Sequence, residues 1–196
     1  MVHCLGESKK IVIVGIAGVG KTTVVNKAVE ILKSKNKSVT VASFGTFMFE
    51  EAQKIGIKDR DELRKLPMVE QQKIQKMAAE RIAQLTDDVV IIDTHAFIPT
   101  PSGFYPGMPE HVLKIIKPSN FISISASPEL ILKRRTQDET RQRDMADTSK
   151  IKKELAIQDA MLSTCSVLTG SPMKPILNNE GKVEEAATDV IDAIGL

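Results

Sequence analysis

Cysteine is nearly absent from this chain: Cys4 and Cys165 are its only two. They are too few to build a disulfide framework or a thiolate metal site, and both read as reduced thiols of an intracellular protein. An excess of charge of one sign is also missing. Lys and Arg number 27 against 25 Asp and Glu, a formal balance of +2. Bulk electrostatics therefore give no argument for nucleic acid or a membrane surface as partner. No apolar run approaches a membrane span, and no apolar signal segment precedes the first strand. There is no internal repeat or low-complexity tract. No Asn-Lys-x-Asp guanine-selecting string stands at a strand end, since Asn26-Lys27 falls inside the first expected helix. Nor is a general base for water evident in the position a regulatory GTPase needs. What remains is a 196-residue chain, 42% hydrophobic and 27% charged, enough for one globular domain with a sizeable core.

Against these absences, one string carries most of the chemistry. Gly15-Ile16-Ala17-Gly18-Val19-Gly20-Lys21-Thr22 follows the run Lys10–Val14 and opens a helical stretch reaching Lys35. Strand, glycine-rich turn and helix start together make a phosphate loop, whose inward amides form an anion nest at a helix N-terminus. Lys21 is placed to reach the outer phosphates of a nucleoside triphosphate, and the Thr22 hydroxyl to ligate magnesium.

Further apolar, β-branched runs stand at Ser38–Phe44, Val89–Ile92, Phe121–Ile124 and, more weakly, Lys174–Leu177, and a closing helix is expected over Gly181–Ile194. Continuous apolar strands separated by helices predict an α/β fold of the P-loop nucleoside triphosphate hydrolase type, a parallel five-stranded sheet with helices on both faces. Two segments exceed the minimal repeat. Phe47–Leu85 predicts two or three small helices beside the carboxyl edge of the sheet, where open sheets bind ligands. Pro128–Cys165 is helical by propensity and arginine-rich at its start. The expected organisation is a single domain with core 1–45, 86–127 and 159–196, an inserted acceptor segment 46–85 and a lid 128–158. Two helical segments around a triphosphate site suit a phosphotransferase that closes over two substrates.

Asp93 ends a strand, where a carboxylate can hold a magnesium-bound water or orient an acceptor; a helix cap or a solvated strand end is the alternative. The string Asp93-Thr94-His95, with proline and glycine following, favours a site. His95 lacks partner histidines, so zinc is not expected. Arg60 and Arg64, four apart, would share a helix face and suit a phosphate monoester, or be ordinary solvated charges beside Asp59, Asp61 and Glu62. Arg134, Arg135, Arg141 and Arg143, four of the seven arginines, lie within ten residues. Phosphoryl transfer needs fixed cations around the moving group, and the interspersed Asp138, Glu139 and Asp144 argue against a plain polyanion-binding stripe.

Along nearly its whole length the chain resembles the archaeal type of adenylate kinase. The likeness runs from Gly15–Thr22 through Ser43–Glu50, Asp59–Leu66, Asp93–His95, Thr100–Pro109 and Asp138–Asp144 to Leu168-Thr169-Gly170. It implies magnesium-dependent transfer from ATP to AMP, giving two ADP, by a cytoplasmic homotrimer with no nucleic-acid or membrane partner. It also implies site roles. Gly15, Gly18, Val19, Gly20, Lys21, Thr22, Thr23 and Gly170 would belong to the nucleotide side. Gly45, Thr46, Arg60, Arg64, Asp93 and His95 would line the AMP side, with Thr22 and Asp93 holding magnesium, Asp93 through water. Lys21 with Arg134, Arg135, Arg141 and Arg143, at the lid and its base, would meet the charge of the transfer. No structural zinc is expected. The remaining alternatives are a kinase acting on CMP or UMP, and a P-loop ATPase serving as an assembly or RNA-processing factor.

Overall fold

The computed structural model describes residues 8–137 and 147–196. Its centre is β1 (Lys9–Val14), whose residues Ile11–Val14 are fully buried. An unbroken β-branched run suits a strand covered on both faces, where alternation would waste half the side chains. β3 (Val89–Thr94) and β6 (Asn120–Ser125) flank it, and β2 (Val39–Ser43) and β7 (Met173–Leu177) form the edges, giving the order β2-β3-β1-β6-β7 with every pair parallel. The edges show in the residues: Val41 and Leu177 are exposed, and Pro175, which has no N–H to give a ladder, is tolerated in β7 because only one side is paired.

Helices cover both faces of this five-stranded sheet. α1 (Lys21–Ser34) follows the phosphate loop and packs beside α8 (Val183–Ala193), which buries Ala186, Ala187, Val190 and Ile191. The segment between β2 and β3 folds as α2 (Phe44–Lys54), α3 (Arg60–Lys65) and α4 (Met68–Ala83). Asp59 caps α3, accepting from the amides of Asp61 and Glu62 at 2.8 Å each. α4 bridges two cores. Ala78, Ala79 and Ile82 belong to the main one, whereas Ile74 joins Ala52 and Leu63 in a satellite cluster. After β6 come α6 (Pro128–Gln137) and α7 (Thr148–Thr169). The expected boundaries at 45/46 and 158/159 fall inside α2 and α7, each a continuous helix. No helix among the described residues is long and apolar enough to cross a membrane.

Two features have no counterpart in the sequence analysis. An antiparallel hairpin, β4 (Phe97–Thr100) and β5 (Gly103–Pro106), follows β3, and α5 (Glu110–Ile116) leads into β6. Prolines at 99, 101, 106 and 109 break any periodicity there, and the hairpin is held instead by local packing, with the rings of Phe97 and Phe104 edge-on at 5.2 Å. Gly107 closes its base. The Gly107 amide donates to the Ala96 carbonyl at 2.9 Å, so close to the chain that a side chain there would collide with the His95 carbonyl.

Candidate active site

The phosphate loop leaves β1 at Val14 and enters α1 through Gly18 and Gly20, both in the left-handed region at φ 91 and 82. The first amide of α1 to close onto the helix is that of Val24, at the Gly20 carbonyl (3.1 Å). The earlier amides of that turn, including those of Thr22 and Thr23, remain for an external acceptor, and no acidic residue stands in the turn to compete for them. The other side of the loop is held by side chains. Arg135 Nε donates to the Ala17 carbonyl (2.8 Å), Arg134 Nη1 to those of Val19 (3.0 Å) and Gly18 (3.4 Å), and Asn178 Nδ2 to that of Val19 (2.8 Å). Three donors on three successive carbonyls draw the C=O groups outward and leave the N–H groups to the cleft.

Sheet register brings the first acid alongside this loop. Asp93 in β3 pairs with Ile13, two residues before Gly15, and its carboxylate contacts the Lys21 ammonium. Burial pulls the Lys21 pKa down to about 8. The Thr22 hydroxyl and the Asp93 carboxylate are oxygen donors of the kind magnesium takes, an ion that uses one or two protein oxygens and completes its shell with phosphates and water. Among the described residues no group of three or more His, Cys, Asp or Glu is arranged to hold a metal.

A cleft of about 840 Å³ opens at the carboxyl edge of the sheet. Gly15, Lys21, Gly45, Arg60, Arg64, Asp93, His95 and Arg135 all line it. Arg60 Nη2 donates to the Thr46 hydroxyl (3.2 Å), and its guanidinium lies 5.6 Å from the centre of the Phe49 ring. Arg64 pairs with Asp61 at 3.0 Å on the surface. Arg135 is also pinned by Glu154 (2.7 Å). Arg134, expected among the transfer cations, instead braces the back of the loop, its Nη2 on the Asn178 carbonyl at 3.3 Å. Arg141 and Arg143 lie outside the described residues.

Gly170 requires a correction. It caps the C-terminus of α7 at φ 69 and precedes β7, so it stands at the amino edge of the parallel sheet. The phosphate loop stands at the opposite edge, a strand length of roughly 16 Å away. Gly170 ends a helix and does not belong to the nucleotide side.

Several cleft residues escaped the sequence analysis: Gln71 and Gln75 on α4, and Lys150, Glu154 and Gln158 on α7. Both sets are spaced by four, the signature of one helix face. That spacing is legible, but nothing in the sequence says which face of either helix turns to the cleft.

A parallel sheet ending in this loop, with an acid beside its lysine and a second, arginine-bearing wall, defines a P-loop nucleotide-binding protein. A family model described as AAA domain matches residues 14–152. The chain is 40% identical to an adenylate kinase of Methanocaldococcus jannaschii over 96% of its own length and 99% of the relative's. It is 44% identical to one of Thermoplasma acidophilum (94% and 98%) and 37% identical to one of Saccharolobus solfataricus (93% and 97%). The chain belongs to the adenylate kinase family. In fold it also resembles shikimate kinase from Acinetobacter baumannii, with TM-score 0.57 and 17% identity over 95% of this chain and 93% of that one.

Proposed function

We propose that this protein is an adenylate kinase, transferring the terminal phosphoryl group of ATP to AMP to give two ADP. The observation that carries this is one cleft with two cationic ends. Lys21 and the free amides of the loop suit the triphosphate, and Arg60 and Arg64, which line the same cleft, suit a monophosphate. In the transfer an AMP phosphate oxygen attacks the γ-phosphorus, and the bond to the β–γ bridging oxygen breaks. Lys21 meets charge on the moving group, while Arg60 and Arg64 hold the attacking phosphate in line. Thr22 and, through water, Asp93 would hold magnesium, which would supply positive charge to the phosphates. The braced loop costs no reorganisation as charge develops.

The family resemblance extends the proposal to a homotrimer working in the cytoplasm, with ATP, AMP and ADP as its small-molecule partners; sedimentation equilibrium at the trimer mass is the expected result for the assembly. The activity is tested by incubating the protein with magnesium, ATP and, in turn, AMP, GMP, CMP and UMP. Transfer to AMP far above ATP hydrolysis is expected. Equal use of CMP or UMP would reassign the acceptor, and hydrolysis alone would overturn the kinase.

A further inference from the structure

α7 turns one face to the cleft, and that face is fastened at two successive turns. Gln158 is 1% exposed, and its Nε2 donates to the Ser123 hydroxyl at 2.9 Å and to the Ile124 carbonyl at 3.3 Å. The single proton of that hydroxyl goes to Asp159 Oδ1 at 2.8 Å. Both oxygens offered to Gln158 are therefore acceptors, and its amide can stand only one way. Ser123 belongs to β6 and has no exposed surface, so this turn of α7 is fixed to the sheet. One turn nearer the helix N-terminus stands Glu154, whose Oε2 accepts from Arg135 Nη2 at 2.7 Å. The Glu154 side chain is 22% exposed and that of Arg135 9%, so the pair is shielded far better than an ordinary surface ion pair. Arg135 spends only two of its five N–H bonds on the protein, Nε on the Ala17 carbonyl at 2.8 Å and one on Nη2 on Glu154. The other three, two on Nη1 and the second on Nη2, have no partner among the described residues, and the side chain lines the cleft together with Lys21.

We infer that Glu154 is a positioning residue for phosphoryl transfer: by holding Nη2 of Arg135, it aims the open side of that guanidinium at the transferred group. This rests on the cleft carrying out the transfer proposed above. A guanidinium held by Ala17 alone could swing about its single hydrogen bond. Glu154 supplies a second point, and two points set the plane of the rigid fork. Charge on the oxygens of the moving group is best met by cations that are in place before it develops. The Glu154 carboxylate also subtracts from the positive charge near the phosphates, so ground-state attraction is not what it contributes. In this role it needs no contact with either nucleotide, because its effect passes through Arg135. Such a residue leaves substrate binding little changed and shows itself in kcat.

The test separates aim from charge. Initial rates with ATP and AMP both varied give kcat and the two KM values for wild type, Glu154→Ala, Glu154→Gln, Arg135→Met and the double variant Arg135→Met/Glu154→Ala, each assayed below its melting temperature. Glu154→Ala is expected to lower kcat about tenfold, with neither KM changed by more than about twofold. Glu154→Gln keeps an oxygen for Arg135 and loses only the charge, so it should recover most of that loss. Arg135→Met keeps an unbranched stem against Gly18 and removes the guanidinium. In that background Glu154→Ala should change kcat by less than about twofold, because the group it acts through is gone. A fall of about tenfold there would overturn the inference, since Glu154 would then serve the packing of α7 and not Arg135. Glu154→Gln as slow as Glu154→Ala would overturn it too, as would a Glu154→Ala enzyme with wild-type kcat or with its loss in KM. All of these outcomes leave the kinase proposal standing. If wild type transfers nothing to AMP, the kinase proposal itself fails, and the inference with it.

Discussion

Lys21 is the side chain on which the chemistry turns. It is largely buried, in contact with Asp93, and carried on the first turn of a helix whose early amides are free. Removing its charge leaves the folded loop in place, because the bracing comes from Arg134, Arg135 and Asn178 and not from Lys21. Lys21→Ala should therefore keep the wild-type melting temperature within a few degrees. It should lower kcat by at least two decades, the loss of about 3 kcal/mol of transition-state stabilisation. A variant that retains half the turnover would take Lys21 out of the mechanism. Arg60 is tested differently, because its role is in binding the acceptor. Calorimetry of Arg60→Ala should show AMP weakened about 30-fold, about 2 kcal/mol, with ATP changed by roughly twofold or less. Equal weakening of both nucleotides would contradict the assignment. Lys21 and Thr22 are legible in the sequence because a phosphate loop has fixed spacing, and Asp93 because it ends an unbroken apolar strand. The bracing role of Arg134 is not, since a basic run gives no sign of which guanidiniums face a carbonyl.

Among the elements, the acceptor segment depends on a buried acid. Glu51 of α2 is 2% exposed and is held by Lys54 (2.7 Å) and by Arg81 of α4 (2.6 Å). The Lys54 hydrogen bond, helped by Arg81, keeps its carboxyl below the ordinary value of 4.5. A depressed carboxylate adds stability above its unfolded pKa and loses it as pH falls through the folded one. Glu51→Gln should thus cost about 1–2 kcal/mol at pH 7, the lower end because both cations remain partly in water. The difference between variant and wild type should shrink in urea melts at pH 3.5; a gap that is constant with pH would show that shape and not charge matters at this position. β1, β3 and β6 are legible because burial on both faces demands unbroken β-branched runs. α2, α3 and α4 are legible as a helical insertion, but not which of their faces point inward, because two cores share α4. The β4–β5 hairpin is hidden by its prolines, and α5 by its seven-residue length.

For the molecule as a whole, the proposed event is closure over two nucleotides. Arg134 and Arg135 of α6 hold the loop at Ala17, Gly18 and Val19, so the start of the segment proposed as a lid is joined to the phosphate loop. An analogue joining two adenosines through a phosphate chain should slow amide exchange across 46–85 and 128–158, while ATP alone should protect chiefly the loop and the start of α1. Exchange in 128–158 that ignores the analogue would remove the lid assignment. The near-zero balance of charge hides all of this, because the cations are placed by the fold into one cleft and not massed along the chain. The proposed trimer is likewise invisible to periodicity, since no stripe in the sequence separates a covered face from a solvated one. The proposed reaction runs in either direction. Phosphorus magnetic resonance of the protein with magnesium and ADP as the sole nucleotide should show ADP decline while ATP and AMP grow in equal amounts. Release of inorganic phosphate in place of ATP, or an unchanged spectrum, would contradict it.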